Sequence, residues 1–402
     1  MNGSIKERLL KSTVDSNGRR RENVKVYDVY YRIFDPEAGR RKSTCKRGFR
    51  TKKEAEAFLL QINNQQNEGT LFKIPDLNVK EYMKDWLKTY VQSGNLKKTT
   101  QSGYIRIVEK QIITELGHIK LKELAVSRIE QFYSKLLKSG RSDGKGGLAA
   151  KSVLYVHRVL SEALSHAVKK KLMYSNPAND VTNVPKPKKQ NVITYNEEQL
   201  LKLIKVAKGT MFEVPILLAG IYGMRRGEVL GLAKDAVDLD NNLLHIKRQL
   251  LYLDKELYFD TPKSQESIRS IYLLDIAIEA LKENFKRQNY YKDEAFGASY
   301  HENNLVVCYP DGRPINPGSF TKLFQTLLKQ NDLPIINFHS LRHASATLMA
   351  AANVPLTVAA AILGHSNVAV TASVYTHVKN DMKMLAAKQV KEHLFKNTDN
   401  NK

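Results

Sequence analysis

The stretch that decides the fold lies near the C-terminus and reads FHSLRHASATLMAAANVPLTVAAAILGHSNVAVTASVYTHV, residues Phe338–Val378. Its apolar residues recur at helical spacing, which predicts helices that pack in a core. However, His339, Arg342, His365 and Tyr375 interrupt this apolar pattern. A guanidinium at the edge of a core is destabilising unless an anion lies beside it. The segment therefore predicts helices that surround a site for an anionic group.

The overall charge points to the same kind of partner. The 402 residues carry a formal net charge of +23, more than solubility requires. Such an excess favours a polyanion, because each Lys or Arg on a phosphate releases condensed counterions; a basic surface without a partner is the alternative. Cys45 and Cys308 lie far apart and form neither a disulfide framework nor a metal-ligand pair, which indicates a reducing cytoplasm.

Two classes of function lack support in the sequence. No apolar run is long enough to cross a bilayer, so we expect no membrane partner. No GxxxxGK phosphate loop is present and no cluster has metal-ligand spacing, so we expect no nucleotide hydrolysis, cofactor or metal.

Residues 1–75 predict a small β-rich unit. The run VKVYDVYYRIFD alternates apolar and polar residues like a strand, and RRKSTCKRGF predicts a second, cationic strand. Thr51 and Glu54 have capping-box spacing at the start of a helix. A sheet with one face on this helix and the other face cationic would fit a major groove about 12 Å wide; a solvated basic sheet is the alternative. The candidate DNA contacts are Arg32, Arg40, Arg41, Lys42, Lys46 and Arg47.

The rest of the chain divides into two larger parts, which predicts a multidomain α+β protein. Residues 77–183 have helical periodicity throughout, with the only tryptophan, Trp86, on an apolar stripe. An extended linker, VPKPKKQN, follows; eight residues span roughly 26 Å. Residues 184–402 mix mainly helices with a few strands, for which LLHIKRQLLYL, ELYFDTPK and IRSIYLL are the candidates.

A second arginine stands in an apolar helical pattern, in LLAGIYGMRRGEVLGL. Leu218, Arg225 and Leu232 share the spacing of one helical face, whereas Arg226 is offset from it. A structural ion pair between Arg225 and Glu228, one turn away, is the alternative to an anion-binding role.

Taken in order, GMRRGEVLGL, HSLRH, ILGHS and VYTHV resemble the boxes of the tyrosine recombinase family, the phage-integrase type of site-specific DNA recombinases. The resemblance extends from about Leu77 to His377. The N-terminal unit also resembles the three-stranded arm-binding domain of integrases from conjugative transposons and related phages. The family thus implies an arm-binding sheet with a helix, an all-helical core-binding domain and a mixed catalytic domain with a C-terminal tail.

The resemblance also implies a catalytic set. Arg225 matches the first catalytic arginine, His339 and Arg342 match the HxxR pair, and His365 matches the next histidine. Tyr375 matches the nucleophile. The family keeps a lysine in a β-hairpin between the two arginines; DTPKSQESIRSIYL resembles that hairpin, and Lys263 is the match, with Lys255 nearby. Arg226 and His343 would be adjacent surface or supporting groups.

The implied function is an integrase of a mobile genetic element that cuts and rejoins DNA through a 3′-phosphotyrosine link, without metal or ATP. Its partners would be double-stranded DNA at core and arm sites, three further copies of itself in a homotetramer, and an excisionase as a candidate helper, in a bacterial cytoplasm at the nucleoid. The tail after Tyr375 would dock on a neighbouring protomer or pack in cis. The alternatives are a type IB-like topoisomerase and a non-catalytic DNA-binding regulator.

Overall fold

A computed structural model of the chain describes residues 3–14, 20–36, 38–188, 193–261, 267–365 and 367–375. It divides into two compact units, Met1–Lys189 and Gln190–Lys402. Within the described residues, no helix combines the length and the apolar character that a membrane crossing requires. Lys263 and the C-terminal tail lie outside the described residues.

The first unit begins with a three-stranded antiparallel sheet of order β1-β2-β3. The strands are β1 (Gly3–Val14), β2 (Arg20–Asp35) and β3 (Arg40–Phe49), and helix α1 (Lys52–Asn67) follows. The side chain of Thr51 caps α1 by accepting a hydrogen bond from the backbone N–H of Glu54. The predicted strands and helix are therefore confirmed.

The segment after α1 continues the sheet. The described part of β1 begins at Gly3, opposite Tyr31, so it does not reach the end of β2. Phe72 forms a parallel bridge with Phe34 in this position. The ring of Phe72 also packs on Tyr174, with centroids 4.9 Å apart. The segment EGTLFKIPDLN, whose sequence predicts a linker, is thus partly ordered structure that joins the sheet to the helices after it.

The helices of the first unit pack around a hydrophobic core of their own. Tyr82, Met83 and Trp86 are at most 1% exposed, as their helical spacing predicts. The glycine-rich run SDGKGG, whose composition predicts a break in the helical pattern, lies in the loop between the last two helices. The helices are α2 (Val79–Trp86, continuing as a π-helix over Leu87–Gln92), α3 (Lys98–Ile107, continuing as a π-helix over Val108–Ile112), α4 (Ile113–Leu116), α5 (Val126–Ser139) and α6 (Ala150–Lys169).

The second unit is mainly helical, with two small sheets. One sheet has the order β4-β5-β8 and the other is the hairpin β6-β7. The strands are β4 (Val237–Asp238), β5 (Leu243–Ile246), β6 (Gln249–Leu253), β7 (Glu256–Asp260) and β8 (Arg269–Tyr272). The helices are α7 (Glu197–Ala207), α8 (Glu213–Gly220), α9 (Arg226–Leu230), α10 (Asp275–Tyr290), α11 (Pro317–Gln330), α12 (Ser340–Ala351), α13 (Leu356–Leu363) and α14 (Val368–Tyr375).

Two local expectations for this unit were wrong, whereas the strand candidate LLHIKRQLLYL is confirmed and is divided. It forms β5 and β6, which belong to different sheets, because the chain leaves β5 before Lys247 and re-enters a strand at Gln249. The segment around Lys263 is flanked by β7 and β8, which also belong to different sheets, so the described strands there do not pair as a hairpin. The apolar pattern through Arg225 is not one helix, because Gly223 turns the chain between α8 and α9 with a φ of +65°.

Candidate active site

The site is organised around Arg342 on helix α12. Arg342 is only 3% exposed. Nη1 donates to the carbonyl of Gly223 at 2.7 Å, whereas the buried Nη2 has no hydrogen-bond partner in the part of the chain that the structure describes. Burial, followed by the charge of Arg225, lowers the pKa of this guanidinium to about 9. A buried cation with a free donor is a receptor for an anion.

The turn at Gly223 places Arg225 beside this group. A Cβ at Gly223 would lie 2.2 Å from a methyl group of Leu363, so only glycine fits the turn. Arg225 follows with an extended backbone as the residue that caps α9. Its Nη2 donates to the carbonyl of Gly364 at 2.8 Å. Its side chain is 33% exposed and reaches the surface from this anchored position.

The expected ion pair between Arg225 and Glu228 is present as well. Nη1 of Arg225 lies 2.7 Å from Oε1 of Glu228, and the backbone N–H of Arg225 donates to Oε2 at 2.9 Å. Glu228 is 1% exposed. The pair orients the guanidinium but leaves it available to an anion, since part of Arg225 stays accessible.

Sequence reasoning missed Arg269, the first residue of β8. Its side chain is 6% exposed, and Nη2 lies 3.1 Å from Oε2 of Glu228. Burial raises the pKa of Glu228, but Arg269 and then Arg225 outweigh this and lower it below its usual value. One signal was available: Arg269 shares a strand face with the buried Ile271 at a spacing of two, which is unusual for a cation.

His365 enters the site through a glycine turn. Helix α13 ends at Gly364, which adopts a left-handed φ of +65°, and the N–H of His365 returns to the carbonyl of Ala360. The sequence LGH therefore needs its glycine to end the helix. Nδ1 of His365 contacts Oγ1 of the buried Thr371 at 2.8 Å. Burial, then Arg342 and Arg225, lowers its pKa to about 4.

His339 precedes α12 and lies against the same cations. The residue is exposed, and its ring meets His343 edge-on with centroids 5.4 Å apart. Desolvation, followed by His343, Arg342 and Arg225, lowers its pKa to about 4. Both matched histidines are therefore neutral near pH 7 and can accept a proton.

The structure brings Arg225, Arg342, His339 and His365 together but holds Tyr375 in a different contact. The Tyr375 hydroxyl, at the end of α14, donates to the carbonyl of Val354 at 3.0 Å. Burial raises its pKa. Lys263 lies outside the described residues, whereas Lys255 is exposed at the tip of the β6-β7 hairpin. Arg226, half-buried, donates to Oγ1 of Thr321 at 2.6 Å, a contact outside this cluster.

The six candidate DNA contacts of the N-terminal sheet are all exposed, but they do not share one face. Tyr31 packs on Phe58 of α1, so alternate residues of β2 and their β3 partners face the helix. Lys46 lies on this side, with Nζ 4.5 Å from the Phe58 ring centroid. The expectation of one cationic face was therefore wrong, because β3 alternates. The register puts Arg32 and Arg41 on the open face, and Arg40, Lys42 and Lys46 on the helix side, with Arg47 at a bulge.

Comparison with known proteins agrees with this architecture. Residues 193–382 match the phage integrase family, residues 78–137 its N-terminal SAM-like domain, and residues 16–66 an arm DNA-binding domain. A tyrosine recombinase XerC-like protein of Caldanaerobacter subterraneus is 28% identical over 348 residues, 82% of this chain and 86% of the relative. The transposase from transposon Tn916 of Enterococcus faecalis is 27% identical over 76% of each chain.

Solved structures show the same fold. The Tn1549 transposon integrase in complex with a circular intermediate DNA superposes with a TM-score of 0.64 and 20% identity, covering 78% of this chain and 99% of that one. A lambda integrase dimer bound to a core site superposes with a TM-score of 0.55 and 17% identity, over 74% and 95% of the two chains. With the matched catalytic, SAM-like and arm domains, the chain belongs to the phage integrase family of tyrosine recombinases, enzymes that cleave and rejoin DNA.

Proposed function

We propose that the chain is the integrase of a mobile genetic element and that the cluster around Arg342 binds the phosphate at which DNA is cut. The observation that carries this proposal is the buried Nη2 of Arg342, which lacks a partner among the described residues. Arg225 and two neutral histidines lie close to the same guanidinium. A phosphodiester would supply the missing anion, and its two free oxygens match two guanidinium groups.

Each group has a role in the proposed reaction. Arg225 and Arg342 hold the non-bridging oxygens and stabilise the extra charge of the pentacoordinate transition state. The Tyr375 oxygen attacks phosphorus, the bond to the 5′ oxygen breaks, and a 3′-phosphotyrosine link forms. The phenol proton passes to a histidine, and Lys263 protonates the departing 5′ oxygen. Attack by the 5′ hydroxyl of another strand then forms the new phosphodiester and releases Tyr375.

The Tyr375 contact implies an inactive arrangement without DNA. At pH 7, forming a free phenolate costs about 4 kcal/mol from the reference pKa alone. Burial adds to this, and the hydroxyl proton is held by the carbonyl of Val354. Cleavage therefore requires that this hydrogen bond breaks and that the phenol moves to the phosphate.

The proposed division of labour follows the three matched segments. Residues 1–75 would bind arm sites, 77–183 core sites, and 184–402 would carry the catalytic groups. A lambda integrase tetramer bound to a Holliday junction superposes with a TM-score of 0.55 over 90% of this chain, which supports a homotetramer on DNA. We place this assembly on double-stranded DNA in the bacterial cytoplasm, with an excisionase as a candidate partner for excision.

A two-substrate assay tests the proposal. Two duplexes that carry the element's attachment sites, labelled differently, are incubated with the protein and without nucleotide. An integrase gives recombinant duplexes in which the labels are joined. Relaxation of supercoiled DNA without joined products would instead indicate a topoisomerase, and DNA binding with neither product would indicate a regulator.

A further inference from the structure

The carboxylate of Glu228 is shared between two arginines. Oε1 lies 2.7 Å from Nη1 of Arg225, and Oε2 lies 3.1 Å from Nη2 of Arg269. The carboxylate is almost completely buried, so water screens it little. Two cations and one anion leave one positive charge in this group, and Arg225 is its exposed member.

Arg269 also fixes the turn at Gly364, whose carbonyl is the second group that positions the Arg225 side chain. Its Nε donates to the carbonyl of Ile362 at 2.5 Å, and its Nη1 to the carbonyl of Ser267 at 3.1 Å. A Cβ at Gly364 would lie 2.8 Å from Nη1 of Arg269, so the guanidinium packs directly against that turn. The carbonyl of Gly364 is the one that accepts from Arg225.

We infer that Arg269 is a positioning residue that offsets the charge of Glu228, so that Arg225 keeps its full positive charge for the scissile phosphate. Without Arg269, Arg225 and Glu228 would form a neutral pair, and the phosphate would meet one cation fewer. The inference rests on the proposed function, because it takes Arg225 to be a phosphate ligand. It assigns to Arg269 an effect on the transition state that does not require contact with the DNA.

A purely structural role makes a different prediction. If Arg269 only braced the turn at Gly364, then removing Glu228 as well would damage the site further. If Arg269 offsets a charge, then neutralising Glu228 should compensate for its loss. The two accounts therefore predict opposite signs for the coupling between the two substitutions.

The test measures single-turnover cleavage of a nicked core-site duplex at saturating protein. Arg269→Met should slow formation of the covalent adduct about 30-fold, less than the hundredfold or more for a group that touches the reacting phosphate. The variant that combines Arg269→Met with Glu228→Gln should cleave at least about fivefold faster than Arg269→Met alone. Affinity for the duplex is measured in parallel and should be unchanged.

Arg226→Met is the matched control. It removes one cation from the adjacent position, where the side chain donates to neutral Thr321, and cleavage should stay within about twofold of wild type. A double variant as slow as Arg269→Met, or slower, would overturn the inference. If Arg269→Met does not fold, Arg269→Lys replaces it. Lysine keeps the charge beside Glu228 but cannot donate to Ile362 and Ser267 together, so its cleavage should stay within about fivefold of wild type.

A folded Arg269→Lys variant that loses cleavage as strongly as expected for Arg269→Met would also contradict the charge account. The wild-type chain separates this result from a failure of the proposed function. If the wild type forms no covalent adduct on the core duplex, the proposed function itself is wrong. If the wild type cleaves and the variants behave otherwise than stated, only the role of Arg269 is wrong.

Discussion

Replacing Arg342 with methionine should make the DNA-free chain more stable although it abolishes cleavage. The guanidinium is 3% exposed, and its Nη2 has no hydrogen-bond partner in the described chain. Its pKa of about 9, against 12.5 for a free side chain, corresponds to about 5 kcal/mol against the charged form at 1.36 kcal/mol per pH unit. Methionine removes this cost and fills a similar volume.

The substitution also has a cost, which sets the net effect. The carbonyl of Gly223 loses its donor, and a buried unpaired carbonyl costs about 1–3 kcal/mol. The difference predicts that Arg342→Met raises the free energy of unfolding of the catalytic unit by about 2–4 kcal/mol. Arg269→Met is the contrast: this buried arginine has a carboxylate partner, so its loss should destabilise the unit.

Amide hydrogen exchange of peptides from α12 is the appropriate assay. The only tryptophan, Trp86, lies in the other unit, so its fluorescence does not report on this one. Slower exchange in Arg342→Met than in wild type supports the reasoning. Faster exchange would refute it, because the cation would then already be compensated in the DNA-free protein.

Three further predictions concern the site and the N-terminal unit. Arg225→Lys should slow cleavage at least a hundredfold, about 2.7 kcal/mol, because lysine lacks the bidentate fork. Arg226→Lys should have almost no effect on cleavage. The reverse result would show that Arg226, and not Arg225, holds the phosphate. NMR titration should show His339 and His365 protonating near pH 4 without DNA and at higher pH with a core duplex. Because their folded pKa values lie below the unfolded value of about 6.5, they should reduce stability as the pH falls from 6.5 to 4, and titration near 6.5 would contradict the effect of desolvation and of the neighbouring arginines on their pKa values. A chain that starts near Leu77 should still cleave a nicked core duplex but lose affinity for arm sites; loss of cleavage would refute this division.

The sequence predicted the elements whose signals are local. Strand β3 spans the predicted run, and the apolar stripe with Trp86 forms the core of the helical part. The motif boxes also named four groups that the structure brings together. In each case, the periodicity, cap or short motif that supports the prediction lies within about one helix or strand.

What the sequence did not predict depends on tertiary contacts. The prediction of one helix through Arg225 was wrong because Gly223 turns the chain where Leu363 leaves no room for a side chain. Arg269 was missed because its partner, Glu228, is 41 residues away. The resting contact of Tyr375 was not predictable either, since it ends on a backbone carbonyl that carries no sequence signal.

The central claim is that Tyr375 attacks a phosphate held by the arginine cluster. The most direct test traps the protein on a nicked attachment-site duplex, digests the adduct and identifies the DNA-linked peptide by mass spectrometry, with Tyr375→Phe as the control. We expect a link through Tyr375 that disappears in Tyr375→Phe while DNA binding remains. A link through another residue, or an adduct that persists in Tyr375→Phe, would contradict it.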